Sequence, residues 1–122
     1  MKRWEAEANG VKVSPHFSLK EFECPCCRAV IVQPRLIEAL QALREALGEP
    51  LPIWSGYRCP SFNSRIGGHP RSRHMIGAAA DVPAGRWGIE ALEGLARELG
   101  LSTIPYPDRG FVHLEIDLDI DK

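Results

Sequence analysis

The stretch PRLIEALQALREALG, residues 34–48, constrains the fold more than any other part of the chain. Leu36, Leu40, Leu43 and Leu47 recur at the spacing that stacks side chains on one helical face. Pro34 stands in the first turn, where its missing N–H is no loss, and Gly48 closes the element. A helix with one apolar face must cover it with a second layer, and a chain of 122 residues and 13.6 kDa has room for one such core. The reading is a single domain over 1–122, with 1–16 as an N-terminal arm or edge strand and the core spanning 17–118. The leucine stripe is read as core-facing and not as a seam for a partner helix, so a monomer is expected.

The neighbouring segments supply the covering layers. FSLKEF carries Ser18 as an N-cap, Glu21 as its capping-box partner and Phe17 with Phe22 as a hydrophobic staple, so a short helix begins at about 19. LPIWS reads as a short buried strand, PSFNSRIGG as a capped helical turn ending at two glycines, and AADVP as a further strand. GRWGIEALEGLARELG, with apolar residues at 89, 92, 96 and 99, reads as a second amphipathic helix. FVHLEID alternates, placing Val112, Leu114 and Ile116 on one face and Phe111, His113 and Glu115 on the other. The fold class is α+β: a small, mostly antiparallel sheet packed with two main helices.

Composition removes several function classes. A formal net charge of -1, without a basic stripe interleaved with aromatics, gives nucleic-acid binding no electrostatic support. No apolar run approaches the ~18 residues of a membrane span, and the N-terminus lacks the apolar segment of a signal peptide. The expectation is therefore synthesis in the cytoplasm, with any role at the cell wall following release or export.

The chemistry concentrates in RSRHMIGAAAD, residues 71–81. Gly77 and Ala78 to Ala80 carry almost no side-chain volume, so the backbone there can pack closely while His74 and Asp81 project. A lone histidine is more often a satisfied core side chain than a ligand. Here, however, His113 lies on the non-aliphatic face of a strand and Asp81 enters a neighbouring one. Two imidazoles and a carboxylate are a normal donor set for a catalytic Zn²⁺ that keeps a further position open for water. Such an ion lowers the pKa of bound water from 15.7 to about 7, which suits hydrolysis at neutral pH.

Ser72, His74, Gly77, Ala79 and Asp81 match, position by position, the SxHxxGxAxD motif of the zinc D-alanyl-D-alanine carboxypeptidase family of peptidases. FSLKEFEC, SGYRCPSFN, the glycine pair before the motif and YPDRGFVHLE extend the resemblance over roughly residues 16–118. That family includes carboxypeptidases, dipeptidases and phage endolysins, and shares the hedgehog/DD-peptidase fold. The resemblance implies that His74, Asp81 and His113 ligate zinc. It implies that Ser72 supports a ligand or the substrate, and that Arg58 holds substrate and stabilises the oxyanion. The expected activity is a zinc metallopeptidase, a peptidoglycan hydrolase cutting amide bonds next to D-residues in stem peptides. It would act as a D,D-carboxypeptidase or an L,D-type endopeptidase, as endolysins do; the alternative is a non-catalytic zinc-binding wall or virion module.

The chain departs from the family at the general base. Several members carry a glutamate three residues before the last histidine ligand, where this chain has Gly110. The candidates left are Glu115, as base or as partner to a ligand, and Asp108, if the YPDRG loop folds over the site; Tyr106 lines the pocket or simply packs. Cys24, Cys26, Cys27 and Cys59 admit three readings: reduced thiols, one disulfide to Cys59, or a second, structural zinc. A catalytic thiol is not among them, since no cysteine belongs to a base-oriented pair.

Overall fold

The computed structural model describes residues 10–117. In chain order its elements are strands β1 (Lys12–Ser14) and β2 (Phe17–Ser18), helices α1 (Pro34–Leu47) and α2 (Pro60–Arg65), strand β3 (Ala79–Pro83), helix α3 (Ile89–Glu98), and strands β4 (Ser102–Tyr106) and β5 (Phe111–Glu115). Short 3-10 turns at Leu19–Phe22, Arg73–Ile76 and Gly85–Trp87 connect them. This is the α+β architecture expected, with β1 and β2 forming a small antiparallel pair and β3, β5 and β4 an antiparallel sheet in that order.

Helix α1 is built as its sequence dictates. Pro34 opens it, Gly48 ends it at φ 70, and the Gly48 amide donates back to the Arg44 carbonyl at 3.1 Å. Leu36, Leu40 and Leu43 are fully buried, and Leu47 nearly so. They join Leu92 and Ala96 of α3 and Ala80, Val82, Val112 and Leu114 of the sheet in one core. Each fully buried leucine contributes roughly 2 kcal/mol, so α1 is anchored by its stripe far more than by helix propensity.

Strand β5 is central in its sheet and decides which residues face the core. Val112 and Leu114 point inward, leaving Phe111, His113 and Glu115 on the opposite face. Pairing with β3 sets Asp81 directly opposite His113 and Ala79 opposite Glu115, while pairing with β4 sets Ile104 opposite His113. Antiparallel register thus carries the aspartate to the histidine across 32 residues of sequence.

Strand β4 was not expected from the sequence. Its segment STIPY is mostly exposed and contains Pro105, features that weigh against a strand, yet β4 pairs only with β5 and a proline is tolerated on such an edge. Conversely, LPIWS is extended but is not a buried strand. Pro52 removes a backbone donor from it, its pairing reduces to one bridge between Ser55 and Asp81, and Trp54 is exposed. The helix expected at about 19 is a single 3-10 turn. Its capping features are present nonetheless: the Glu21 carboxylate accepts from the Ser18 amide at 2.9 Å, and the Phe17 and Phe22 rings lie 6.0 Å apart. Of the proposed N-terminal arm, residues 1–9 lie outside the described residues. Part of the remainder is β1, which Gln41 of α1 holds by accepting from the Ser14 hydroxyl and the His16 amide.

Candidate metal centre

Ser72, His74 and Asp81 of the RSRHMIGAAAD stretch are placed by the turn and the strand that carry them. The Ser72 hydroxyl accepts from the His74 amide at 3.2 Å and starts the Arg73–Ile76 turn. Gly77 ends that turn at φ 71, and a Cβ there would run into the carbonyl of Ile31, so the backbone at 31–33 and at 77 lie in contact. The Gln33 amide uses that proximity to donate to the Gly77 carbonyl at 2.9 Å. The chain then enters β3 with Ala78, Ala79 and Ala80 fully buried, and Asp81 emerges on the face that carries His113.

His74 Nε2 and His113 Nδ1 lie 3.2 and 3.0 Å from the same oxygen, Asp81 Oδ1. The opposite ring nitrogens fix the tautomers. His74 Nδ1 is 2.7 Å from the Gly56 carbonyl, which can only accept, so Nδ1 carries the proton. His113 Nε2 is 2.8 Å from Glu115 Oε1, a carboxylate oxygen that likewise accepts. In the neutral rings, Nε2 of His74 and Nδ1 of His113 therefore present lone pairs toward an oxygen that presents its own. Three mutually repelling acceptors within 4.8 Å of one another require something positive between them.

Without an ion, a proton fills that need, and the titration behaviour reflects it. Burial pushes the Asp81 carboxyl upward, but hydrogen bonds from His113 and His74 outweigh it and bring it down to about 2. Burial likewise disfavours charged His113, yet its hydrogen bonds to Asp81 and Glu115 prevail and raise its value. A divalent cation answers the same need with all three donors at once. A borderline ion such as Zn²⁺ fits two imidazole nitrogens and one carboxylate oxygen, each imidazole braced through its other nitrogen.

Arg58 borders this cluster. One terminal nitrogen lies 3.3 Å from Asp81 Oδ2, its Nε 3.2 Å from Ser55 Oγ, and its other terminal nitrogen 3.3 Å from Asn63 Oδ1. Asn63 is itself held by donating to the His69 carbonyl at 2.9 Å. The guanidinium is thus anchored on three sides beside the His–Asp–His cluster.

An open cleft of about 670 Å³ runs over the cluster and is lined by Arg58, Ser72, His74, Asp81, His113 and Glu115. Tyr106 also lines it and stacks on Phe111 at 4.6 Å. Asp108 does not; it sits exposed in the turn between β4 and β5. The structure therefore brings Glu115 to the donor atoms and leaves Asp108 off the cleft. Sequence reasoning missed the Gly56 carbonyl, which orients His74, because a backbone acceptor has no residue signature. It also missed Arg71, Arg73 and Arg109, which line the cleft as three further cations. Arg71 and Arg73 flank Ser72 in RSRH, but only the fold shows that they share a wall.

A His–Asp–His set able to hold a cation, at the foot of an open cleft on an antiparallel sheet backed by helices, is the architecture of a metal-dependent enzyme class. The chain belongs to the Peptidase M15 family, whose model matches residues 6–115. It is also similar to the zinc D-Ala-D-Ala carboxypeptidase of Streptomyces albus G, at 45% identity over 69 residues, 56% of this chain. The matched region is 27% of that relative, so the chain answers to about a quarter of its length. No helix among the described residues is long and apolar enough to cross a membrane.

Proposed function

We propose that this chain is a zinc-dependent peptidase that hydrolyses amide bonds next to D-residues in peptidoglycan stem peptides, as a D,D-carboxypeptidase or an L,D-type endopeptidase. The observation that carries the reading is the convergence of the His74, Asp81 and His113 lone pairs at the foot of an open cleft. Family membership and the name of the Streptomyces relative support the metal and the class of bond.

In this reading His74 Nε2, Asp81 Oδ1 and His113 Nδ1 hold the ion, and the Gly56 carbonyl and Glu115 keep the two rings turned toward it. Zinc, when bound, polarises the scissile carbonyl and supplies an activated water at neutral pH. Arg58, already fixed beside Asp81, offers its positive charge to the carbonyl oxygen as negative charge develops there. Among the described residues Glu115 is the one carboxylate lining the cleft besides Asp81, so we assign proton transfer to its side chain in addition to its hold on His113. Arg71, Arg73 and Arg109 suit a substrate bearing carboxylates, as a stem peptide does at its chain end and at its glutamate residue.

The test is incubation of zinc-loaded protein with purified cell walls. Free D-alanine identifies carboxypeptidase activity, whereas new N-termini with falling turbidity identify an endopeptidase of the endolysin kind. Wall binding without either product would replace this reading with that of a non-catalytic zinc module, the alternative that Gly110 in the place of a glutamate suggests.

A further inference from the structure

Cys24, Cys26, Cys27 and Cys59 take no part in the cleft, yet the fold gathers them as tightly as it gathers the histidines. Their four sulfur atoms all lie within 4.8 Å of one another, and those of Cys26 and Cys59 are 3.5 Å apart. Four thiolates placed about 2.3 Å from a shared tetrahedral centre stand about 3.8 Å from each other, within this spread.

The backbone is bent to produce the cluster. The Arg28 amide donates to the Cys24 carbonyl and the Cys24 amide to the Ala29 carbonyl, each at 2.8 Å, closing a tight loop over 24–29. Arg28 takes φ 62, the one positive φ outside glycine among the described residues. A non-glycine residue held there costs on the order of 1–3 kcal/mol, a conformation that persists only where its surroundings enforce it. The amides also turn toward sulfur. Cys24 Sγ accepts from the Cys59 amide at 3.5 Å, and Cys59 Sγ accepts from the Phe62 amide at 3.4 Å. A neutral thiol is a weak acceptor, whereas a thiolate gathers such donors. One disulfide would use two of the sulfurs and leave this arrangement around the others unexplained; a single cation uses all four.

We propose that Cys24, Cys26, Cys27 and Cys59 bind one Zn²⁺ as a closed tetrathiolate that staples the 24–29 loop to the segment carrying Arg58. Binding takes all four as thiolates, releasing to solvent whatever thiol protons remain, and moves no electrons. Four protein ligands leave no open position, so the ion is structural. A tetrahedral sulfur site takes zinc or iron, and the exposure of Cys26 and Cys27 to solvent favours the ion without redox chemistry.

The inference is independent of the peptidase reading, and metal counting separates the two. Zinc per chain is measured by elemental mass spectrometry in the native protein and in His74→Ala, Cys26→Ser and Cys27→Ser. The native protein should hold a second zinc, each cysteine variant should lose one ion, and His74→Ala should lose the other. In His74→Ala loaded with Co²⁺, thiolate-to-cobalt charge-transfer absorption should persist and disappear on titration with a mercurial thiol reagent. This readout does not require a cysteine variant to fold. An unchanged zinc count in both cysteine variants, iron at the cluster, or an intact mass lighter by the two hydrogens of a disulfide would overturn the assignment. If native protein and His74→Ala hold the same single, thiolate-bound zinc, the peptidase reading fails and this one stands.

Discussion

The two donor clusters reach similar compactness by opposite routes. His74, Asp81 and His113 are set by β-ladder register and a buried turn, so their positions follow from the packing of the whole core. The cysteines sit on a loop and a helix cap, with Cys26 and Cys27 exposed, held by local hydrogen bonds and one strained residue. The first set has three donors and opens on a cleft; the second has four and does not line that cleft. A site meant to admit substrate is best preformed by the scaffold, since its ion must keep an open position. A site that only fastens loops can leave its geometry to the metal.

The sharpest way to break that contrast is to remove a donor from the preformed site. His74→Ala should reduce peptidase activity to the no-enzyme background while leaving the fold and the cobalt–thiolate spectrum intact, checked by D-alanine or amine release beside circular dichroism. Loss of both metal signals together would show that the clusters are not separate. The next effect concerns the brace. Glu115→Gln removes the carboxylate that holds His113 Nε2 and should lower zinc affinity or activity by about 10–100-fold, measured by chelator competition and initial rates. Asp108→Asn, off the cleft, should stay within about twofold of the native rate; a large loss there would move the base to the β4–β5 turn.

Scaffold control of the preformed site can also be read as stability. Gly77→Ala forces a side chain into the Ile31 carbonyl at a positive φ and should lower stability by about 2 kcal/mol or more. Gly94→Ala, in α3 with nothing within 4 Å, should raise it by about 0.5–1 kcal/mol. Thermal melts of the two variants check both signs.

How far the sequence foretold this follows the same division. Periodicity exposed α1, α3 and β5, because those elements bury one face and polar residues mark the other. The motif spacing pointed to His74 and Asp81, and the alternation in β5 put His113 on the free face. Strand β4 was hidden because an edge strand buries little, so STIPY carries no alternation and a proline. The bracing of His74 by the Gly56 carbonyl was hidden because it is a backbone contact across 18 residues. Glu115 was visible as a candidate, but its bond to His113 depends on side-chain directions along one strand. The cysteines were conspicuous, yet spacing left thiol, disulfide and metal all open, and only the convergence of all four sulfurs favours one.

The smallest effect tests whether protons stand in for the ion at the preformed site. In metal-free protein the His113 value is raised, so the stability it contributes is complete below its ordinary 6.5 and is lost as pH rises through the folded value. Asp81 is lowered from 3.8 to about 2, so its contribution is present above 3.8 and is lost as pH falls through about 2. Chelator-treated protein should accordingly be most stable between about pH 4 and 6.5, with a decline on the alkaline side that His113→Asn flattens. Zinc requires the His113 lone pair that the proton occupies, so affinity at this site should climb with pH over the same alkaline limb. Melting curves across pH for native and variant protein measure the difference. An alkaline limb that the variant shares unchanged would show that the Asp81–His113 pairing does not stabilise the metal-free fold, and that the donors are held apart by packing alone.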